Sequence, residues 1–580
     1  MRSIFALVAA TAVLWALRRG PPAGLPLAFH VNPPPGTQFV LTNAGGSISP
    51  DGKMIALVAI SSAQIPRLWL RSLDSVTARE IPGTDGAQYP FWSPDSRTIG
   101  FFAGGKLKRT GLSDGSVVSL ADAPSPRGAT WTERGILFAP TFTGGLQLIP
   151  ANGGTPTHVT KLDTAARGTS HRWPQVLPDG RHFLHMAVGG GRTEIRMASF
   201  DQPEGRELGV NAPEGGAIYV RPRANYAGYL LWLRQGVLTA QAFDYEHGQL
   251  SGEPMSVPGG DMIGLVLGPN LSSGLSASND GIILASHRGD RNRLTWLNRE
   301  GKVLGTVLGQ DYFAGVTISP EGNRAALSID DTSGNRVLWV LDFARSVPTR
   351  LSSSGTYAPI WSADGRRIVY YSGYGGPIFE RDASGAGPQR TLLDEVAYAD
   401  DVSPDGRYLL YEQAESDGPQ FLKLLPLLPS GGAEGKSIPY LQTAGAAFAL
   451  AHFSPDGKWV AYVDADAGPN EVYVQIFPAP GARVQVSGSG GSFPRWRKDG
   501  KELFYLATDG RLMVSAVRNQ GGRLEFGTPS ALFRIPEVFG ARAYPYGVSD
   551  DGQRILALMP DAAEGAPLTV LINWQAGLKK

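Results

Sequence analysis

The sequence predicts an all-β protein assembled from one repeated unit, and three observations support this. The 580 residues include 74 glycines and 44 prolines, a composition typical of chains with many turns. A four-residue turn, clearest at 454–457, leads directly into an apolar run, and the same pairing recurs along the chain. From Ser49 to Ser549 the turns span 500 residues in eleven steps of about 45 residues each. A period near 40–45 residues with several strands per unit is typical of a β-propeller.

Each residue of the repeated turn has a physical role. Pro455 presets the φ angle of the first central position of a type I turn. Asp456 can hydrogen-bond to nearby backbone, and Gly457 tolerates the positive φ that closes a three-residue hairpin loop. Because the motif recurs in nearly every unit, we expect its aspartate to shape the turn and not to mark one active site.

Twelve such units can be counted. The fifth, around 221–232, has lost the turn, and the third has a degenerate Thr-Glu-Arg-Gly version. The recognisable turns lie at residues 49–52, 93–96, 132–135, 177–180, 278–281, 319–322, 362–365, 403–406, 454–457, 497–500 and 549–552. If loops near Thr132 and Arg221 are released for binding, the first half of the chain is where a ligand surface is expected.

Each unit is expected to supply four strands. An apolar strand such as 55–58 follows the turn, a second such as 68–70 comes ten to twenty residues later, and a weaker strand leads on. Runs that are apolar on both faces fit blades packed between blades. Aromatic residues precede many turns, and packing between blades is their expected role; they are Trp92, Trp131, Trp173, Trp361, Phe453 and Trp496.

The predicted architecture is two tandem six-bladed β-propellers, because twelve blades exceed the usual four to eight of one ring. The expected domains are 38–300 for the first propeller and 301–580 for the second. The last unit ends with 568–574 and lacks a fourth strand of its own. A ring must close without exposed edges. We therefore expect the strand at 302–308 to complete the last blade of the second ring, and the strand at 25–31 that of the first.

The N-terminal residues 1–19 are predicted to be a signal peptide or a membrane anchor. An apolar run at 4–17 is short for a membrane span, typical of a signal-peptide core, and followed by Arg18 and Arg19. A buried N-terminal helix is the less favoured alternative. Residues 20–37 are rich in Pro and Gly and indicate a linker. The expected location is the cell envelope, on the extracytoplasmic or periplasmic side, with 4–17 anchored in the inner membrane.

Composition excludes several classes of function. Lys and Arg total 53 against 52 Asp and Glu, a net charge of +1, whereas a dominant nucleic-acid surface needs a clear basic excess. Cysteine is absent, which excludes disulfides, thiolate nucleophiles and cysteine metal sites. We predict no catalytic, cofactor-binding or metal-binding residues, and no cofactor.

Three histidines come close together in the sequence, at His171, His182 and His185. Histidine triads can bind zinc, but residues three apart on a strand point to opposite faces. We therefore interpret them as ordinary strand histidines.

Three other patterns could carry chemistry but are better explained otherwise. The acidic run at 464–471 lacks the spacing of a calcium loop, whose last ligand is a bidentate glutamate, and we interpret it as a solvated loop. Lys106 and Lys108 share a face of a short basic strand, more typical of a solvated edge than of a phosphate site. The glycine-rich run at 488–491 has no helix after it to form a phosphate cradle.

The repeated Ser-Pro-Asp-Gly hairpin followed by an apolar strand resembles the TolB-type, WD40-like propeller repeat of bacterial envelope proteins, over nearly all of the chain after residue 38. More narrowly, 470–478, 495–505 and 571–580 resemble the extracytoplasmic propeller region of bacterial Ser/Thr protein kinases. The kinase domain itself is absent, and no kinase residue can be carried over. TolB-like propellers also precede prolyl-peptidase-type domains. We expect no such domain and no Gly-x-Ser-x-Gly elbow, since the repeats run almost to residue 580.

The resemblance implies a non-catalytic, envelope-anchored binding or sensor module whose ligand is a protein, peptide or glycan. One alternative is a propeller enzyme, a glycan lyase or hydrolase, with its site in a propeller mouth. Another is a TolB-like structural partner of an envelope complex. An enzyme predicts charged, His or Tyr side chains that converge in one channel mouth with shifted pKa values, whereas a binding module predicts an aromatic or apolar patch on one rim.

Overall fold

The structure is a computed structural model, and it describes most of the chain. The described residues are 25–39, 45–61, 65–113, 115–163, 168–189, 192–210, 215–223, 226–234, 237–260, 274–286, 292–331, 336–353, 355–373, 376–414, 420–443, 450–464, 470–535, 544–560 and 567–578. Within these ranges the chain is all-β, with fifty strands and one 3-10 turn at Trp574–Gly577. The predicted anchor at 1–19 lies outside them, and no helix inside them is long and apolar enough to cross a membrane.

The strands form twelve antiparallel sheets, which are the blades of two six-bladed β-propellers. In the first ring, the first five blades follow the chain from the channel outwards. Their strands are β2 Gln38–Phe39, β3 Gly46–Ile48, β4 Met54–Ile60, β5 Pro66–Ser72 and β6 Ala78–Glu80; β7 Gln88–Trp92, β8 Thr98–Ala103, β9 Lys106–Gly111 and β10 Val117–Asp122; β11 Ala129–Thr132, β12 Gly135–Phe138, β13 Gln147–Ile149 and β14 Thr157–His158; β15 Gly168–Val176, β16 His182–Gly189, β17 Arg192–Ser199 and β18 Arg206–Glu207; β19 Ile218–Val220, β20 Tyr229–Arg234, β21 Val237–Asp244 and β22 Gln249–Ser256.

The first five blades of the second ring are built in the same way. Their strands are β27 Phe313–Ile318, β28 Arg324–Asp330, β29 Arg336–Asp342 and β30 Val347–Arg350; β31 Thr356–Trp361, β32 Arg367–Ser372, β33 Ile378–Asp382 and β34 Arg390–Leu393; β35 Tyr398–Val402, β36 Tyr408–Ala414, β37 Gln420–Pro426 and β38 Ile438–Thr443; β39 His452–Phe453, β40 Trp459–Asp464, β41 Glu471–Ile476 and β42 Val484–Gln485; β43 Ser492–Trp496, β44 Glu502–Leu506, β45 Arg511–Gln520, β46 Arg523–Phe526 and β47 Ser530–Arg534.

The sixth blade of each ring is assembled from distant parts of the chain. In the first ring, β23 Leu275–Ala277 and β24 Ile283–Ser286 are followed by β50 Leu568–Ile572 and then by β1 Leu27–Val31. In the second ring, β48 Tyr546–Val548 and β49 Arg554–Pro560 are followed by β25 Asn292–Asn298 and β26 Val303–Asp311. The chain therefore passes between the rings twice, after β24 and after β49.

The strand pairing confirms the two expected closing strands. Two other strands, β25 and β50, lie in the ring opposite to the one that the expected domain boundary gives them. β1 and β26 are the outer strands of the last blades, at the positions predicted for 25–31 and 302–308. However, the expected boundary between residues 300 and 301 falls inside one sheet, between β25 and β26. The strand at 568–572, expected in the second ring, pairs with β24 of the first. This exchange leaves neither ring with an open last blade.

Apolar packing closes each ring. In the first, Leu284 and Val570 of the last blade are fully buried against Ile55 and Leu57 of the first blade. In the second, Leu556 of the last blade packs against the first blade in the same way. Such continuous burial on both faces of each sheet is why the strands have few polar positions.

The repeated turn has the predicted geometry. In the turn at 454–457, the Gly457 N–H donates to the Ser454 carbonyl at 2.8 Å, and Gly457 has φ +67°. The Ser454 hydroxyl donates to Asp456 Oδ1 at 2.6 Å, and the same oxygen accepts from the Lys458 N–H at 3.1 Å. The aspartate therefore holds its own turn together in this unit, as it does at Asp51.

Two kinds of contact connect the inner strand of one blade to that of the next. Three of the predicted tryptophans donate from the indole N–H to a carbonyl of the preceding inner strand. The pairs are Trp92 with Ser47 at 3.0 Å, Trp361 with Thr317 at 2.9 Å, and Trp496 with His452 at 3.3 Å. In addition, the residue two positions before a turn can bond to the following inner strand, as Thr317 does in donating to the Pro359 carbonyl at 2.8 Å.

We predict that Gly457→Ala destabilises the protein. A side chain at φ +67° is strained, although the nearest atom to an added Cβ, Pro404 Cδ, is 3.7 Å away. The cost should be about 1–2 kcal/mol, visible as a lower midpoint of denaturant unfolding. Gly488→Ala is the matched control, because Gly488 has open space around it and no left-handed backbone. Equal midpoints for the two variants would contradict the proposed role of the turn.

We also predict that Val570→Asp unravels the first ring more than the second. Val570 is fully buried in β50, so the variant buries an unpaired carboxylate at a cost of several kcal/mol. Hydrogen exchange should increase in β1 and β24, which flank β50, although both are more than 280 residues away in sequence. Val347→Asp, on an exposed outer strand, is the control, and an identical exchange pattern in both variants would refute the composite blade.

Candidate functional site

The inner strands of the second ring bring ionisable side chains together around its channel. They lie on β35, β36, β39 and β43 and on the residue that leads into β48, and form what we call the channel cluster. Its members are Asp400, Asp401, Glu412, His452, Arg495 and Tyr544. They come from four consecutive blades, the third to the sixth, so the packing of successive blades brings them into one place.

An arginine stacked on a tyrosine forms the centre of the channel cluster. The Arg495 guanidinium carbon lies 3.4 Å from the centroid of the Tyr544 ring, and the two residues are 7% and 6% exposed. The Tyr544 hydroxyl donates to the Leu450 carbonyl at 2.9 Å, whereas Arg495 Nη2 is buried with no hydrogen-bond partner among the described residues. This geometry is a desolvated cation–π pair, the strongest form of that interaction.

Two of the acids of the cluster accept backbone hydrogen bonds from the fourth blade. Asp401 Oδ2 accepts from the Phe453 N–H at 2.9 Å, and Glu412 Oε1 accepts from the Leu450 N–H at 3.1 Å. Asp401 occupies the position two before its turn, the same position from which Thr317 reaches the next blade. Its hydrogen bond is therefore, first of all, a link between blades.

Burial sets the charges of the cluster. Burial raises the pKa of Asp401 to about 7, against the opposing effects of Arg495 and of backbone N–H donors. The pKa of His452 lies well below its usual value, because of burial and then of repulsion by Arg495. His452 Nδ1 is 3.6 Å from Asp401 Oδ2. Near neutral pH the histidine is uncharged, and Asp401 is close to half protonated.

The space beside the cluster is small. A cavity of about 10 Å³, counted as room for the centre of a water-sized sphere, is enough for one water molecule. It is lined by Val316, Thr317, Ala358, Pro359, Ile360, Ala399, Asp400 and Tyr544. This cavity beside Tyr544 can therefore hold a single water molecule.

An aromatic residue on an inner strand of the first ring contacts three other blades. Trp173 comes from the fourth blade with φ +52°, and its ring lies 5.1 Å, edge to face, from that of Tyr89 of the second blade. An added Cβ on Gly128 or Gly216, of the blades on either side, would lie within 3 Å of Trp173. Trp173 therefore contacts the second, third and fifth blades, a placement different from that of the other tryptophans before turns.

The rings meet at a phenylalanine that two arginines contact. The guanidinium carbons of Arg127 and Arg172 lie 4.8 and 4.5 Å from the centroid of Phe142, in the first ring. Phe142 packs into an apolar cluster of the second ring that includes Tyr371 and Tyr398. Both arginines are almost fully buried, and burial lowers the pKa of Arg127. This contact joins the two propellers independently of the two chain crossings.

The structure brings two of the three sequence-predicted histidines together. The rings of His171 and His185 lie 4.6 Å apart, and burial lowers the pKa of His171 to about 4. His182 is elsewhere, with Nδ1 at 2.5 Å from a carboxylate oxygen of Asp179 in the turn. Among the described residues, no group of three or more His, Cys, Asp or Glu side chains is placed to hold a metal ion.

The other sequence patterns are paired within the fold. Asp464 pairs with Arg483 at 3.1 Å, and Glu471 Oε1 accepts from the Gly490 N–H at 2.8 Å, so the glycine-rich run binds a carboxylate of its own chain. Residues 465–469 of the acidic run lie outside the described residues. Lys106 pairs with Asp122 at 2.5 Å.

The expectation that the sequence contains no Gly-x-Ser-x-Gly motif is wrong as a statement about the sequence. A Gly-x-Ser-x-Gly string does occur, as Gly-Leu-Ser-Asp-Gly at 111–115. It lies between β9 and β10, adjacent antiparallel strands of one blade. A nucleophile elbow joins a strand to a helix, so this string has the wrong surroundings for one.

Reasoning from single motifs missed the channel cluster, although an alignment of the units on their turns contains a signal for it. The position two before the turn is Asp401, His452 and Arg495 in three successive units, where another unit has Ile360. That pattern does not contain Tyr544 or Glu412, which reach the cluster from other positions in their blades.

Comparisons with known proteins give the following. No protein-family model matches the sequence, and no curated protein matches it. The structure is similar to that of a putative TolB from Agrobacterium tumefaciens, with 16% identity, 47% of this chain and 99% of that chain covered, and a TM-score of 0.37. It is similar to TolB from Acinetobacter baumannii, with 15% identity, 55% and 82% covered, and a TM-score of 0.32. It is also similar to an ancestral GH74 enzyme, with 9% identity, 93% of both chains covered, and a TM-score of 0.33. Because these TM-scores are low, the assignment of the fold as a pair of propellers rests on the strand pairing of this chain itself.

We predict that Asp401→Asn removes a pH dependence of stability. The folded-state pKa of Asp401 is raised to about 7, so its contribution to stability is complete at low pH and is lost as the pH rises through 7. The variant keeps an oxygen for the Phe453 N–H, and should gain on the order of 2 kcal/mol relative to the unsubstituted protein between pH 5 and pH 8.

Melting temperatures of both proteins at pH 5 and pH 8 measure this effect. Asp122→Asn, at a side chain that is 82% exposed, is the control and should leave the pH difference unchanged. If Asp401→Asn also leaves it unchanged, Asp401 is not the group that titrates.

Proposed function

We propose that this chain is a non-catalytic binding module of the cell envelope, located outside the cytoplasm, and that its ligand is a protein. The observation that carries the proposal is the altered turn of the fifth blade in the first ring. There the tight turn between β19 and β20 is replaced by the longer segment 221–228. Arg221 and Arg223 are exposed on it, and Tyr226 is half-buried.

The surroundings of this segment have the chemistry of a protein interface. Arg221 acts electrostatically on the half-buried Tyr245 and on Tyr219, a core residue that lies beneath it with its ring 5.4 Å from that of Tyr245, edge to face. Arg223 Nη1 donates to Asn573 Oδ1 at 3.0 Å, which fixes the base of the segment to the last blade. Tyrosine and arginine are enriched at the centres of protein interfaces, since each combines apolar area with polar reach.

The side chains that line the two channels favour the outer rim of a propeller over its channel mouth as the binding surface. Trp173 contacts three other blades at the inner strands of the first ring, and the cavity beside Tyr544 in the second ring has room for one water. A macromolecular ligand therefore has access to the turns and edges of the blades. A sensor role, related to that of the propeller region of receptor-like kinases, and a TolB-like place in an envelope complex both use such a rim.

A photo-crosslinking amino acid at Arg221 tests the proposal in cells that express the full chain. We expect a protease-sensitive adduct at position 221 and none at Val76, an 89% exposed control position in the same ring. Arg221→Glu should weaken capture of the cross-linked partner at least about tenfold, and Val76→Glu should not. Equal adducts at both positions, or capture insensitive to Arg221→Glu, would refute the site. Cell fractionation of the same full chain tests the envelope location.

A propeller enzyme, a glycan lyase or hydrolase, is a second proposal, favoured by one observation. The channel cluster meets the criterion of converging groups with shifted pKa values, at Asp401, His452 and Tyr544. Catalysis there would need an opening of the channel wide enough for a substrate. Turnover of a glycan that is lost in Tyr544→Phe and kept in Tyr408→Phe would support the enzyme, and turnover unaffected by Tyr544→Phe would refute it.

A further inference from the structure

Three large apolar side chains are exposed at one end of the first ring. Leu25 is 86% exposed, Leu27 is 53% exposed and Val76 is 89% exposed. Single exposed apolar residues are common on soluble proteins, but a group of them marks a surface that contacts another molecule. Where these three lie, and what part of the chain lies beside them, indicates which molecule that is.

The two leucines lie at the turn face, our name for the end of a ring that carries its repeated turns. Leu27 pairs with Ile572 at the end of β50, and β50 pairs with β24, which begins just after the turn at 278–281. Because side chains two apart on a strand share a face, Leu27 continues the row that Val31 begins in the core. Leu25 precedes it by two residues, so the row leaves the core and ends in solvent.

Val76 lies at the same face of the adjacent first blade. It follows the end of β5, where the Leu73 N–H donates to the carbonyl of Lys53 at 2.8 Å, next to the turn at 49–52. Leu73 packs on the same apolar cluster as Phe29 of β1. The loop with Val76 and the start of β1 are therefore neighbours on the turn face.

The second ring lies at the opposite end of the first. Phe142, which packs into the second ring, follows β12, and β12 begins at the turn at 132–135. The two crossings of the chain likewise follow β24 and β49, strands that each begin just after a turn. The turn face of the first ring therefore points away from the second ring and is open to a partner.

The chain that precedes β1 identifies this partner as a lipid bilayer. The apolar run at 4–17, which is the predicted membrane anchor, ends eight residues before Leu25. Eight residues span at most about 29 Å when fully extended. An anchored chain therefore holds the start of β1, and with it this edge of the first ring, close to the membrane surface.

Basic residues come to the same edge. The arginine pair at 18–19 lies between the apolar run and Leu25, and a lysine pair at 579–580 follows the last turn of the chain. That turn lies beside the start of β1, since an added Cβ on Gly577 would be 3.2 Å from Pro26. The exposed charges of the first and sixth blades at this face nearly cancel; they are Asp51, Lys53, Asp74, Arg79 and Asp280. Positive charge is thus in excess, which favours anionic headgroups.

We propose that the turn face of the first ring, at its sixth and first blades, lies on the surface of an anionic lipid bilayer. Leu25, Leu27 and Val76 enter the boundary between headgroups and acyl chains, as the apolar residues of membrane-surface segments do. The proposal rests on the predicted anchor and on the envelope location of the proposed function, but not on a protein ligand. A protein that binds the segment 221–228, on the same face of the fifth blade, then binds next to the membrane.

Fluorescent probes on single cysteines test this with the purified full chain, because the sequence contains no cysteine. The chain is reconstituted in vesicles of phosphatidylglycerol and phosphatidylcholine, some of whose acyl chains carry a nitroxide quencher. A probe at Val76→Cys should lose emission to the quencher, since this position is far from the anchor in sequence and reaches lipid only through the proposed face.

Ile65→Cys is the matched control. Ile65 is 43% exposed and precedes β5, so it lies at the opposite end of the same strand from Val76, and its probe should keep its emission. Equal quenching at the two positions, no quenching at Val76, or a chain that does not sediment with the vesicles would overturn the proposal.

Leu27→Glu tests whether apolar contact holds the ring in this orientation. The variant places a carboxylate at the lipid boundary, so quenching of the probe at Val76 should fall severalfold. Val347→Glu, at a position 66% exposed in the second ring, should leave the quenching unchanged, and matching circular dichroism spectra check the fold of both variants. Quenching that Leu27→Glu does not reduce would overturn the proposal. Neither measurement contains a protein partner, so its outcome is separate from that of cross-linking at Arg221.

Discussion

The pairing of β24 with β50 and of β25 with β49 is the interaction on which the rest of the structure depends. A six-bladed ring is stable only when its last blade packs on its first, and here each last blade needs strands from both ends of a long stretch of chain. Ile283 lies opposite Leu571, and Leu297 opposite Ile555. The entropy of closing such long loops grows only slowly with their length, so the cost is close to that of much shorter loops. The result is that neither propeller is complete without the other's connections.

Within each ring, the contacts between inner strands determine what the channel can contain. Gln175 exchanges two hydrogen bonds with the backbone of Tyr219, and Asp401 accepts one from Phe453, in the same place in their blades. A residue that links blades must lie at the channel wall, and a charged residue there is buried when the channel is narrow. The shifted pKa of Asp401 therefore follows from a structural position, whatever else the second channel does. Arg221 and Arg223 on the segment 221–228 are exposed and not buried at a channel wall, which is why this segment is the better place to seek a ligand.

The candidate sites were only partly readable from the sequence. The loss of the turn near Arg221 is visible in the sequence, and it directed attention to the fifth blade of the first ring. The polar run Asp401, His452 and Arg495 is visible once the units are aligned. Tyr544 and Glu412 are not, because they come from the lead-in to an inner strand and from a second strand, positions at which other units have unrelated residues. The contact of Phe142 with Arg127 and Arg172 also has no local sequence pattern, since it depends on how one ring meets the other.

The sequence by itself determined the number of units, the turn of each and the all-β class, because these depend on local preferences of Pro, Asp and Gly and on strand-length apolar runs. It also placed β1 and β26 in the last blades, since a ring cannot leave an edge open. Only the tertiary structure decided which inner partners those strands have. The apolar strands of all twelve units are nearly interchangeable as sequences, so no local rule distinguishes β25 from β50. Their exchange between the rings is fixed by the packing of whole blades and by the two crossings of the chain.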